Sequence, residues 1–257
     1  GNHSSCKRPI LLCIVHMPEA MSHQRFLTIL SVLWASSAAF KLLDVGAPRA
    51  GTQTMYDAMR ILGFNPLHTG VSREIRPPLC DYLFGNGRLE DALATLAAFD
   101  GAMDEPVMLM YEEVMAAFPE TKFVLTIRDA ESWFSNYLHV GQMMYFSADV
   151  SGWVADTNST DYKCSGMRAW GCNFRDPSAE EKETCLQNYA RHNERVQEVI
   201  PPERLLVYNW SDGWAPLAHF LGTAIPEEEF PHEDAVKSRN EEREVEALRS
   251  FGLAAVE

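Results

Sequence analysis

One stretch near the start of the chain, residues 45–54 (VGAPRAGTQT), constrains the fold more than any other. The apolar run from Phe40 to Val45 before it predicts a buried strand. The residues after it predict a helix that ends at Gly63, because apolar side chains recur there at helical spacing: Met55, Ala58, Met59 and Leu62. A strand, a glycine-bearing turn and a helix N-terminus can together bind phosphate through backbone N–H groups and the helix dipole. A tight turn that binds no ligand is the alternative.

The stretch differs from the common nucleoside-triphosphate loop, GxxxxGK[ST]. Gly46 and Gly51 keep the glycine spacing. Thr52 stands where that loop has lysine, and Gln53 stands where it has the hydroxyl residue that binds magnesium. The positive charge of the loop is carried instead by Arg49, three residues earlier than the usual lysine.

Further strands and helices alternate along the chain. Residues 122–127 (KFVLTI) and 204–208 (RLLVY) predict buried strands. Ser178 and Glu181 form a capping-box pattern, which predicts a helix extending to about Val199. The alternation predicts an α/β fold, a mostly parallel sheet flanked by helices, in a single domain.

The first 39 residues are predicted to be a leader, and residues 40–257 the domain. Residues 26–40 (FLTILSVLWASSAAF) are apolar, but the run is shorter than a membrane span of about 20 residues. It resembles a signal-peptide core with small residues suited to cleavage at its end. An extra helix packed on the domain, or upstream sequence that is not coding, are the alternatives. Location therefore stays open between the secretory pathway, including the Golgi lumen, and the cytoplasm.

The chain is acidic, with a net charge of −14 from 36 acidic and 22 basic residues. This balance argues against nucleic acid as a partner, and against a membrane partner apart from the N-terminal targeting segment. An anionic ligand must then be bound by local positive groups. Three arginines, Arg73, Arg76 and Arg88, lie in a region that Pro77–Pro78 predicts to be rich in loops, since prolines break helices.

Two segments place polar residues where strands are expected to end. The short apolar piece at 99–103 is followed by Asp104 and Glu105, and residues 122–127 are followed by Arg128. In open α/β sheets the carboxyl ends of the strands form the ligand crevice. Arg128 could therefore meet a second phosphate together with Ser135 or Asn136, two turns into the next helix. Pairing of Arg128 with a neighbouring acid, Asp129 or Glu131, is the alternative.

From Phe40 to about Asp234 the chain resembles the P-loop sulfotransferases, in the branch with a GxxRxGT loop. The resemblance rests on six segments in the order and spacing of the family: GAPRAGTQTM (46–55), FDGAMDEP (99–106), FVLTIRDAESWFSNY (123–137), PPERLLVYNWSDGW (201–214), APLAHFLG (215–222) and FPHED (230–234). It implies a P-loop NTPase-like fold and the donor 3′-phosphoadenosine-5′-phosphosulfate (PAPS), which yields adenosine-3′,5′-bisphosphate without a metal.

The resemblance also implies roles for single residues. The 5′-phosphosulfate would be bound by the loop and the helix start: Arg49, Ala50, Gly51, Thr52, Gln53 and Thr54. Arg128 and Asn136 would bind the 3′-phosphate, although the family usually has serine at the second position. Asp104 would be the catalytic base, with Asp100 and Glu105 as competitors, and Arg49 would stabilise the leaving group. His68 is either a residue of the acceptor pocket or a structural histidine.

The cysteines allow two readings. A disulfide between Cys164 and Cys172 is expected if the chain is secreted, and the glycosylation sequon at Asn158 favours the same compartment. A zinc site made of Cys164, Cys172, Cys185 and His192 is the alternative, but the spacing matches no standard pattern.

The leading hypothesis is therefore a PAPS-dependent sulfotransferase acting on a hydroxyl or amine of a small acceptor. A P-loop kinase is one rival, which the missing loop lysine and the missing magnesium-binding acid disfavour. A related protein that binds nucleotide without turnover is the other rival.

Overall fold

The computed structural model describes residues 40–70, 72–146, 164, 172 and 176–231. The expectations for the leader (1–39) and for the sequon at Asn158 concern residues outside these ranges. In the described part, no helix has the length and the hydropathy needed to cross a bilayer.

Strands and helices alternate as the sequence predicts. In chain order they are β1 (Leu42–Asp44), α1 (Thr52–Ile61), β2 (Pro66–His68), α2 (Arg76–Phe84), α3 (Leu89–Leu96), β3 (Gly101–Met103), α4 (Tyr111–Ala117), β4 (Lys122–Thr126), α5 (Ala130–Phe146), α6 (Ala179–Val199), β5 (Leu205–Tyr208) and α7 (Trp214–Leu221). Short 3-10 turns cover Arg73–Ile75, Val107–Met110, Pro202–Arg204 and Trp210–Asp212.

The five strands form one parallel sheet in the order β2-β3-β1-β4-β5. The chain runs from β1 to one side of the sheet through β2 and β3, and then to the other side through β4 and β5. The strand order therefore reverses at β1, which is where a parallel sheet opens a crevice at the carboxyl ends of its strands. The α/β fold predicted from the sequence is confirmed.

Helices cover both faces of the sheet. Neighbouring residues of a strand point to opposite faces, so each face has apolar side chains that pack against helices. In β1, Leu43 belongs to one buried cluster, with Phe123 and Leu125 of β4. Leu42 belongs to the cluster on the opposite face, with Val124. A strand buried on both faces has a continuous apolar sequence, which explains why the apolar runs at 40–45 and 122–127 located β1 and β4.

Two predictions about helix starts have different outcomes. The capping box is confirmed, since Ser178 and Glu181 exchange both of its hydrogen bonds at the start of α6. The prediction that Pro77–Pro78 excludes a helix is wrong, because α2 begins at Arg76 and contains both prolines in its first turn. Proline disrupts the interior of a helix, but in the first turn its missing N–H would have no intrahelical partner.

The expected Cys164–Cys172 disulfide is also wrong. Cys80 of α2 is bonded to Cys164, and Cys172 is bonded to Cys185 of α6. The same pairing contradicts the zinc alternative, since its three cysteines are all in disulfides. The fourth zinc candidate, His192, lies against a backbone carbonyl oxygen at 2.7 Å. Among the described residues, no cluster of His, Cys, Asp and Glu could hold a metal ion.

Candidate active site

The loop between β1 and α1 leads directly into a helix with an open N-terminus. Arg49 and Gly51 have positive φ angles of 69° and 132°, so the chain turns sharply before the helix begins at Thr52. No side chain caps this helix, and its first turn contains no acid. The first N–H groups of a helix have no intrahelical partner and carry the positive end of its dipole. The loop therefore provides the donors and the field that an anion requires.

The glycine at position 46 is required by close packing of the loop on β4. A Cβ atom on Gly46 would lie 1.9 Å from Thr126 Oγ1 and 2.6 Å from Thr126 O, so no other residue fits without moving the strand. The N–H of Gly46 points down into the protein and donates to Asp44 Oδ1 at 2.9 Å. The first glycine of the loop thus fixes the loop on the sheet.

Asp44 is a buried carboxyl group that the sequence analysis treated as part of an apolar run. It accepts hydrogen bonds from the N–H of Gly46 and from Thr126 Oγ1, the latter at 3.1 Å. Burial raises the pKa of Asp44 from 3.8 to about 7, although these hydrogen bonds act in the opposite direction. The available signal was a charged residue inside an otherwise apolar strand.

Arg49 is in contact with Asn136 of α5. Arg49 Nε donates to Asn136 Oδ1 at 2.8 Å, across 87 positions of the chain. From the resemblance to the family, these two residues are expected at opposite phosphates of the donor. The structure places the two side chains side by side, which links the loop cation to the helix that follows Arg128.

Side chains of helices α5 and α6 contact the backbone of the loop. Trp133 Nε1 donates to Pro48 O at 2.8 Å, and the Trp133 ring stacks on Tyr189 with centroids 4.2 Å apart. His192 Nε2 lies 2.7 Å from Val45 O, and burial lowers the pKa of His192. These contacts connect the loop to two helices that are distant in sequence.

The remaining loop residues lie where α1 starts. Ala50 N donates to Ala47 O at 3.0 Å, which closes a turn within the loop. Gln53 Nε2 lies 3.5 Å from Asp57 Oδ2 on the next turn of α1, and the Thr54 side chain is buried. The half-buried Trp210 side chain lies next to the loop: a Cβ atom built on Gly51 would be 3.9 Å from it.

Arg128 follows β4 and is positioned by Tyr189. The Tyr189 hydroxyl accepts from Arg128 N at 3.0 Å and donates to Arg128 O at 2.9 Å. The side-chain Nε of Arg128 donates to Ser132 Oγ at 3.1 Å, and Asp129 caps α5 by accepting from Ser132 N at 2.9 Å. Ser135 Oγ donates to the backbone carbonyl of Glu131 at 2.9 Å.

Asp104 ends β3 and connects the loop to His68. Thr52 Oγ1 donates to Asp104 Oδ2 at 2.9 Å, and Glu105 N donates to Asp104 Oδ1 at 2.6 Å. His68 Nε2 lies 3.4 Å from Asp104 Oδ2. Asp104 has a φ of 74°, an unfavourable conformation for a residue other than glycine, and a Cβ on Gly70 would lie 3.0 Å from its carboxylate. The candidate base, His68 and the loop therefore form one cluster.

The two competing acids have other surroundings. Asp100 precedes β3, at the opposite end of the strand from Asp104, and lies 3.0 Å from Lys41 Nζ. The hydrogen bond from Asn65 N lowers the pKa of Asp100. Glu105 is buried beside Asp104 and accepts from the Tyr137 hydroxyl at 3.2 Å.

Tyr137 of α5 also lies at the site, although the sequence gives it no role there. Burial, followed by the charge of Glu105, raises the pKa of Tyr137 well above its ordinary value. Its hydroxyl therefore stays protonated and donates to Glu105. The sequence offered no signal for this contact, because tyrosine at helical spacing is equally suited to packing.

The geometry is thus a loop that contains an arginine and leads into an uncapped helix start, with a buried carboxylate beside it. A family model described as a sulfotransferase domain matches residues 41–238 of the chain. The chain belongs to the sulfotransferase family. The matched residues include the loop, β3 with Asp104, and β4 with Arg128.

A curated relative is consistent with this membership. The chain is 29% identical over 210 residues to a protein of Aspergillus versicolor called Ava biosynthesis cluster protein M. The alignment covers 75% of this chain and 80% of that relative. Membership of the family supports a transferase activity for this sulfotransferase domain.

Proposed function

We propose that the protein transfers a sulfuryl group from PAPS to a hydroxyl or amine of a small acceptor. The observation that carries the proposal is the hydrogen bond between Thr52 and Asp104. It places a buried carboxylate at the first residue of the helix that the anion-binding loop precedes. An anion site and a proton acceptor so close together are what sulfuryl transfer requires.

The residues present fit an anionic donor without a metal. The uncapped start of α1 supplies N–H donors, and Arg49 supplies the positive charge. Arg128, at the end of the neighbouring strand, is the candidate for a second phosphate group. When bound, PAPS would supply a sulfuryl group whose departure leaves negative charge on the 5′-phosphate. Arg49 and the N–H groups of the loop would stabilise that charge.

On the acceptor side, Asp104 would take the proton of the attacking hydroxyl or amine. The orientation of its carboxylate is fixed by Thr52 Oγ1 and Glu105 N, so both oxygens are held in place before the acceptor arrives. Such preorganisation reduces the cost of reaching the transition state.

A thermal-shift series tests this proposal against its two rivals. Adenosine-3′,5′-bisphosphate without magnesium should raise the melting temperature, because a ligand that binds only the folded state stabilises it. Stabilisation by ATP and magnesium alone would instead indicate a kinase. Stabilisation by adenosine-3′,5′-bisphosphate with no sulfated product from any acceptor pool would indicate binding without turnover.

A further inference from the structure

Arg76 is a buried arginine close to the candidate base, and no role has been assigned to it so far. It is the first residue of α2, and it is only 6% exposed. Its Nη2 donates to the backbone carbonyl of Cys164 at 3.1 Å. One helical turn later, Cys80 forms its disulfide with the same residue, so two contacts fix α2 against Cys164.

The guanidinium of Arg76 is incompletely satisfied. Its Nε is buried and has no hydrogen-bond partner in the part of the chain that the structure describes. Among the described residues, no carboxylate oxygen lies within 4.0 Å of Arg76. Buried cations are normally paired, since removing a charge from water is costly unless an opposite charge or several hydrogen bonds replace the water. Arg76 is therefore the kind of group that a ligand completes.

The surroundings of Arg76 connect it to the site. Asp104, Glu105 and Tyr137 form one hydrogen-bonded cluster, and Arg76 starts α2 at the same edge of the sheet. Strand β2 ends at His68, which lies 3.4 Å from Asp104, and Ser72 N donates to His68 O at 2.9 Å in the turn that leads into α2. Both carboxylates in this cluster already have donors. Glu105 accepts from Tyr137, and Asp104 accepts from Thr52 and from the N–H of Glu105. Nε of Arg76, in contrast, has no acceptor among the described residues.

We propose that Arg76 binds a carboxylate of the acceptor, so that the acceptor is a hydroxy or amino compound that also carries an acid group. The proposal rests on the proposed function and specifies its substrate class. Arginine is suited to this role, because its planar, permanently charged fork matches a carboxylate. Cys164 occupies one of its donors and fixes the plane of the fork.

The first test is stability, which needs no knowledge of the acceptor. Arg76→Met keeps the bulk of the side chain. It removes the buried charge, which favours folding, and the hydrogen bond to Cys164 O, whose loss opposes folding, so the melting temperature should stay within a few degrees of wild type. Arg88→Met is the matched control, because Arg88 is also an arginine at the start of a helix, but its side chain is 70% exposed. A fall of several degrees for Arg76→Met alone would show that Arg76 is a structural tether to Cys164, and would overturn the proposal.

The second test is acceptor class. A metabolite pool is separated by anion exchange into acidic and neutral fractions, and each is incubated with enzyme and PAPS. Products heavier by one SO₃ group should come from the acidic fraction and vanish when its carboxylates are methylated. Arg76→Met should lower their formation at least tenfold, the loss expected for one charge-assisted contact. Its binding of adenosine-3′,5′-bisphosphate should be unchanged, and Arg88→Met should behave as wild type.

Products from the neutral fraction alone, or full activity of Arg76→Met on the acidic fraction, would overturn the proposal. Absence of product from every fraction would refute the proposed function instead. The melting temperature of Arg76→Met would then still decide whether Arg76 is a binding group or a structural tether.

Discussion

Replacing Asp44 by asparagine should change how the stability of the protein depends on pH. Asp44 lies under the loop between β1 and α1, where burial raises its pKa from 3.8 to about 7. In the unfolded chain the group ionises near its ordinary pKa, so between these two values the folded state holds a proton that the unfolded state has lost. Stability from protonated Asp44 is therefore fully present below about pH 4 and is lost as the pH rises through about 7.

The magnitude follows from the size of this rise. At roughly 1.4 kcal/mol per pH unit, the whole effect is roughly 4 kcal/mol, of which roughly 3 kcal/mol is lost between pH 5 and pH 7. Asparagine does not titrate, and its amide oxygen can still accept from the N–H of Gly46. Relative to wild type, Asp44→Asn should therefore become more stable by roughly 3 kcal/mol as the pH rises from 5 to 8.

Urea unfolding of the two proteins at pH 5, 6, 7 and 8, with disulfides intact, measures this difference. Asp100→Asn is the matched control: its carboxylate is partly exposed and has a lowered pKa, so its unfolding curves should run parallel to wild type over this range. The reasoning is refuted if the stability difference between wild type and Asp44→Asn is the same at all four pH values.

Three further predictions concern the donor site and its neighbours. Arg49→Ala should remove a charge-assisted contact of roughly 1.5–3 kcal/mol and weaken adenosine-3′,5′-bisphosphate more than tenfold by calorimetry; unchanged affinity would exclude the loop as the phosphate site. Arg128→Ala should abolish the preference for adenosine-3′,5′-bisphosphate over AMP, whereas equal weakening of both ligands would make Arg128 structural. Asn136→Asp should place a negative charge against Arg49 and weaken both ligands while the fold stays intact, and an affinity equal to wild type would show that the Arg49–Asn136 contact does not matter for binding.

The parts of the site that local sequence could predict are those built by consecutive residues. The loop followed from glycines, an arginine and a helix start within ten positions. The place of Asp104 at a strand end followed from acids at the end of a short apolar run, and its choice as the candidate base followed from the resemblance to the family. Both features depend on backbone conformation over a few residues, and parallel sheets place strand ends at one edge.

The missed features join residues that are distant in the chain. Arg49 meets Asn136 across 87 positions, and Cys80 meets Cys164 across 84. Such pairs depend on how helices pack on the sheet, which periodicity does not specify. Pro77–Pro78 was misread for a different reason, because proline both interrupts helices and starts them, and only the following residues decide between the two.

The most direct test of the whole account is a transfer assay that compares wild type with Asp104→Asn. Each protein is incubated with PAPS and an acceptor pool without magnesium, and products heavier by one SO₃ group are quantified by mass spectrometry. Wild type should form such products, and Asp104→Asn should form them about 10² to 10⁴ times more slowly, with near-normal binding of adenosine-3′,5′-bisphosphate. Asp100→Asn should retain its rate. Wild-type turnover by Asp104→Asn would contradict the assignment of the base, and absence of sulfated product from wild type would contradict the proposed transfer itself.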